Sequence, residues 1–152
     1  MKRILMIVAL LVGMFGMSGC GTTVYRLESK CDAVTTDSLF KSISILLIQK
    51  NFSIKQLDAN DGYLEASTFP EWSVWTGMTS SKIWTFQKIN DKIVASAKTL
   101  MQSQNMFGAT TGSSVYYYSD KCHEDWDWYW DIRYSLEEIC GNKIVIIKTE
   151  TN

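Results

Sequence analysis

Apolar residues recur at helical spacing at Leu39, Phe40, Ile43, Leu46 and Leu47, a pattern that predicts one amphipathic helix. Thr36 is placed to cap it, Asp37 brings a carboxylate to its positive end, and Asn51 ends it. Beyond Asn51 the period shortens. Phe52-Ser-Ile54 opens a first strand, and residues 63–69, 82–89 and 93–101 read as three more. The cluster Asp58-Ala-Asn-Asp-Gly62 marks a turn, and Asn90-Asp91 marks a tight hairpin. In the fourth strand Ile93, Ala95 and Ala97 alternate with Val94, Ser96 and Lys98. One strand face is therefore expected to be buried and the other solvated.

Residues 104–114 are rich in Gly, Ser and Thr and predict a mobile loop. Two periods compete in the tract from 124 to 140. Trp126, Trp128, Trp130, Ile132, Tyr134 and Leu136 alternate as a strand would. Tyr129, Ile132, Leu136 and Ile139 form a helical stripe, with Trp126, Trp130 and Tyr134 as a second. Arg133 and Glu137 are an i,i+4 pair, and Gly141 follows as a helix-ending glycine. The helix is the preferred reading. Residues 143–149 then read as a last strand. The expected fold class is α+β: a two-layer domain in which an antiparallel four-stranded meander packs against an N-terminal and a C-terminal helix.

The first residues are of a different kind. Lys2 and Arg3 precede an apolar run from Ile4 to Phe15, too short for the ~20 residues of a spanning helix. Gly13, Gly16 and Gly19 weaken a helix there. The run closes on Met17-Ser18-Gly19-Cys20. This boundary resembles the lipobox of bacterial lipoproteins. The resemblance implies a signal peptide at 1–19, cleavage before Cys20, and diacylglycerol and a further acyl chain, typically palmitate, on Cys20 itself. Such chains contribute about 0.8 kcal/mol per buried methylene, which makes a durable membrane anchor. Gly21 in place of the aspartate that retains such proteins at the inner membrane implies the outer membrane, facing the periplasm. Residues 20–35 then form a lipidated tether, with a short strand at 23–27, and 36–149 a single domain. The order of elements across 37–140 is similar to that of small envelope lipoproteins, such as the accessory lipoproteins of the outer-membrane barrel-assembly machinery. That likeness concerns fold and assigns no function.

Cleavage would remove two basic residues and no acidic one, taking the formal charge from −1 to −3. A mildly acidic chain without clustered Lys and Arg is a poor match for phosphate, so no nucleic-acid partner is expected. With Cys20 acylated, Cys31, Cys122 and Cys140 remain in an oxidising compartment and allow one disulfide. Cys122 with Cys140 is the first pairing to consider. A continuous helix from 124 to 140 would hold their ends roughly 24 Å apart and forbid it. If the tract is helical, Cys31 pairs with Cys122 or Cys140; if it is a strand, the 122–140 bridge is open again.

Catalytic chemistry finds little support. Cys122-His123 are a nucleophile and a base by type, but sequence neighbours point apart and no third group orients them. His123, Asp127 and Asp131 share a helix face, but too few of them converge at once to make a zinc site. The pairs Asp125/Asp127 and Glu137/Glu138 suit a solvated helix face, and the glycines at 108–113 lack a phosphate-loop lysine. No enzyme, metal or cofactor is expected. Tryptophan is the oddity. Trp72 and Trp75 flank a hairpin loop at 69–78, and Trp126, Trp128 and Trp130 crowd the last helix, more than a two-layer domain can bury. These five residues are the candidate interaction surface. The expected function is a membrane-anchored, non-catalytic accessory module that binds another envelope protein. The alternative is a carrier of a small apolar or glycan ligand held between helix and sheet.

Overall fold

The computed structural model describes residues 23–31, 34–105, 107–118 and 126–150. Its chain order is β1 (Thr23–Lys30), α1 (Thr36–Gln49), β2 (Ser53–Asp58), β3 (Tyr63–Ser67), β4 (Glu71–Ser73), β5 (Met78–Ile89), β6 (Lys92–Gln104), β7 (Thr110–Tyr117), α2 (Asp127–Cys140) and β8 (Val145–Glu150). All eight strands belong to one antiparallel sheet. The expected four-stranded meander under two helices is thereby corrected to a mostly-β fold.

The spine is the β5–β6 hairpin, paired from Met78–Ser103 to Ile89–Lys92. Asn90, at φ 57°, turns it, as a short polar side chain tolerates the left-handed region. Each outer edge of this hairpin is shared by two strands in tandem. On β5, β3 pairs with residues 83–87 and β4 with 78–80. On β6, β1 pairs with residues 92–96 and β7 with 98–104. The sheet therefore has two halves. The near half runs β2-β3-β5-β6-β1-β8. The far half, here the wing, runs β4-β5-β6-β7.

The core lies on one face of the near half. Leu64, Ala66, Trp84, Phe86, Ile93, Ala95 and Ala97 from the sheet meet Leu39, Phe40, Ile43 and Leu47 of α1 and Tyr129, Ile132 and Leu136 of α2. The residues of α1 and α2 and Ile93, Ala95 and Ala97 of β6 are those the helical and alternating patterns select. Thr35, not Thr36, caps α1, its hydroxyl accepting from the Ser38 N–H. The tract 127–140 is helical and ends on Gly141 at φ 67°. Lys50 of the chain leaving α1 bonds Asp131 of α2 at 3.0 Å, joining the helix pair.

Two segments depart from expectation. The short strand expected at 23–27 within the tether is longer, Thr23–Lys30, and is bonded to β6 on one side and β8 on the other. Residues 110–114, expected within a mobile loop at 104–114, belong instead to the strand β7, every residue of which is exposed. A strand that buries neither face has no hydrophobic period to display, so its hydrogen-bond ladder is invisible in the pattern. Cys31, one residue past β1, is bridged to Cys140 at the end of α2, with Cα atoms 4.5 Å apart. With the tract helical, this is one of the two pairings left open to Cys31.

Candidate functional site

The five candidate tryptophans do not form one surface. Trp126 is buried, and Trp128 and Trp130 are half-buried against the core. They belong to an aromatic stack under α2. Tyr118 and Tyr129 lie face to face with centroids 3.8 Å apart, and Trp84 stacks on the Tyr129 ring at 5.3 Å. Trp128 meets Trp84 edge-on at 5.7 Å and Trp126 at 5.1 Å. The Arg133 guanidinium covers Trp130 at 5.0 Å. Such edge and offset contacts are the favoured geometry for rings. Burial raises the Tyr129 hydroxyl pKa well above the ordinary tyrosine value, with Tyr118 adding to the rise and Arg133 opposing it.

Trp72 and Trp75 are placed quite differently. Trp72 is 54% exposed on β4 and Trp75 is 98% exposed in the turn that follows. Pairing puts Trp72 beside Thr79, then Gln102 and Ser113 across the wing. The next row on the same face is Ser81, Leu100 and Val115, and the one after it Ile83, Lys98 and Tyr117. Alternation along each strand puts these residues on the face opposite the helices. Val115, Tyr116 and Tyr117 are all exposed large side chains of β7.

Most of the wing is also free of charge. Residues 72–81 and 99–118 contain no Asp, Glu, Lys, Arg or His, in a chain of which 20% is charged. Glu71 is the only charged residue on β4, and Lys82 and Lys98 border the wing toward the core. Exposed edge strands are normally protected by charge, proline or a covering element. β7 carries neither charge nor proline, and among the described residues no strand pairs with its outer edge. The signal that marks this site in the sequence is the two uncharged runs taken together. Taken separately, the first reads as a hairpin loop and the middle of the second, 104–114, as a mobile loop.

The remaining candidates resolve as follows. Cys31 and Cys140 are consumed by the disulfide. Cys20, Cys122, His123 and Asp125 lie outside the described residues. Asp131 is committed to Lys50, and Glu137 both pairs with Arg133 at 3.7 Å and accepts the Ile144 N–H. Asp127 sits in the first turn of α2, where its charge suits the helix dipole. Glu138 is exposed on the same helix. An open depression near the end of β1 is lined by Glu28, Lys30, Lys92, Asn142 and Lys143; of its charges, Lys92 pairs with Glu28 at 3.2 Å and Lys30 with Asp91 at 3.3 Å. Lys30 holds the Asp91 carboxyl below its usual value through that hydrogen bond.

None of the described helices is long and apolar enough to cross a membrane. No protein-family model matches the chain, and no match is found among curated proteins or solved structures.

Proposed function

We propose that this chain is a membrane-anchored envelope lipoprotein whose domain is a non-catalytic interaction module, held by lipid on Cys20 at the outer membrane and facing the periplasm. The observation that carries the reading is the wing: a half-sheet with charge only at its borders, at Glu71, Lys82 and Lys98, and with Trp72, Val115 and Tyr117 exposed on the face opposite the helices. Uncharged, partly apolar surface loses little on dehydration, and aromatic residues are the usual anchors of protein interfaces. The Cys31–Cys140 bridge supports an oxidising compartment. The partner is another envelope protein, which meets this face and the outer edge of β7.

A photo-crosslinking residue at Tyr117, compared with one at Glu138 on α2, tests this in intact cells. A discrete protein adduct from position 117, absent from 138 and lost in Cys20→Ala, is the expected result. Equal adducts from both positions, or none from 117, would overturn it. Labelling with a palmitate analogue, lost in Cys20→Ala, tests the anchor separately.

A further inference from the structure

The two turns at the end of the wing form a second feature. The β4–β5 turn and the β6–β7 turn both lie past the Met78–Ser103 pair, at the same end of the sheet. Two strand spacings set them about 10 Å apart. The first presents Val74 and Trp75, 84% and 98% exposed, and the second presents Phe107, 90% exposed. Large apolar side chains so fully in water at two adjacent turn tips are costly to leave unpartnered.

We infer that these two tips insert into the lipid bilayer beside the acylated N-terminus, with Trp75 and Phe107 at the boundary between headgroups and acyl chains. This rests on the lipid-anchor reading of Cys20. Three observations favour lipid over protein as the occupant.

The first is backbone satisfaction. Dehydrating a turn is expensive unless its N–H groups are already bonded. In the β6–β7 turn the Asn105 side-chain oxygen accepts from the N–H groups of Phe107 and Ala109, each at 3.0 Å. The Gly108 N–H donates to the Asn105 carbonyl, and the Asn105 N–H to the Ala109 carbonyl, both at 2.9 Å. In the β4–β5 turn the Gly77 N–H donates to the Ser73 carbonyl at 2.9 Å.

The second is composition. Neither tip has a charge to strip of water, and Trp is the side chain best suited to the bilayer interface. Trp72 stands three residues before Trp75 on the same hairpin, where the interface gives way to water.

The third is reach. β1 pairs Arg26 with Ser96, and its first residue, Thr23, lies on the wing side of that pair. Cys20 precedes Thr23 by three residues, so it lies within about 10 Å of it and no more than about 20 Å beyond the Arg26–Ser96 pair. The strand from Ser96 to Gln104 extends about 27 Å in the same direction. With the wing directed at the membrane, even the farthest point that chain length allows Cys20 falls about 7 Å short of the end of β6, so an anchor there leaves the tips free to enter the headgroup boundary.

Full-length protein in phosphatidylethanolamine–phosphatidylcholine vesicles carrying acyl-brominated lipid gives a direct readout. The emission of wild type minus that of Trp75→Phe isolates Trp75. Expected is a blue shift on the vesicles and loss of that component with lipid brominated near the headgroup end of the chain. A Trp75→Phe, Phe107→Trp double variant reports on the second tip and should behave alike. Unshifted, unquenched emission from both positions overturns the inference, as does a shift that requires added envelope protein, which would make the occupant a protein. Acyl label on Cys20 without quenching leaves the anchor standing and sinks the tip contact. Quenching without label on Cys20 sustains the contact and removes the anchor reading.

Discussion

Tyr118 and Tyr129 stack with their ring centroids 3.8 Å apart, and Trp84 closes on the other side of Tyr129 at 5.3 Å. This pairing ties the segment after β7 to α2 and puts a phenol in the centre of the core. Among the described residues, neither the Tyr129 hydroxyl nor the Trp84 indole N–H has a hydrogen-bond partner. Leaving such a group buried and unpaired costs about 1–3 kcal/mol. Tyr129→Phe keeps the ring and removes the orphan, so urea unfolding at neutral pH should show stability unchanged or raised. Tyr129→Ala should lose about 3–5 kcal/mol.

The same residue sets an alkaline limit. The folded state holds Tyr129 neutral above the ordinary tyrosine pKa, because burial opposes the phenolate. Above about pH 10 an unfolded chain loses that proton while the folded chain keeps it. Stability must then fall with rising pH, since the unfolded state binds fewer protons. Thermal melts from pH 8 to 11 should show this decline in wild type and a shallower one in Tyr129→Phe.

The Cys31–Cys140 bridge spans a sequence separation of 109 residues. Closing a loop of that size restricts the unfolded chain and is worth about 2–5 kcal/mol. Reduction, or Cys31→Ala with Cys140→Ala, should lower the urea midpoint correspondingly without changing the far-ultraviolet spectrum at low denaturant.

Gly62 closes the β2–β3 turn at φ 63°, and a Cβ there would come within 2.9 Å of the Lys88 Cβ. Gly77 has the same φ with open space around it. Gly62→Ala should therefore cost about 1–3 kcal/mol, and more than Gly77→Ala. Equal losses in a paired denaturation would contradict the contact with Lys88.

Tryptophan substitutions should separate surface from core. Trp75→Ala removes a side chain with almost no contacts and should change stability by less than about 0.5 kcal/mol. Trp128→Ala opens the stack against Trp84 and Phe52 and should cost about 2–3 kcal/mol. Calorimetry on the two variants decides this.

Three segments that bury one face were legible from the sequence. Leu39 to Leu47, Ile93 to Ala97 and Tyr129 to Leu136 fall into the core at the spacing read from the chain. Asp58 also closes its turn as expected, accepting from the N–H groups of Asn60 and Asp61. The wing was not legible. β4 and β7 are held by backbone ladders to β5 and β6 and bury no apolar face, so the pattern of side chains carried no period. Only the Thr, Val and Tyr content of 110–117 hinted at a strand. The surplus of aromatics was correctly noticed, but composition could not divide it. The split between Trp126, Trp128 and Trp130 inside and Trp72 and Trp75 outside depends on which strands lie under α2.

The disulfide has one more consequence, for what happens when this protein is cut. Its two cysteines flank β2 to β7, the wing with both turn tips included. A protease that nicks the chain once, at Trp75 or at Phe107, therefore frees no fragment: the N-terminal piece and the C-terminal piece stay covalently joined, and a single band becomes two only on reduction. Either tip can be cut open while β1 and α2 remain one covalent unit.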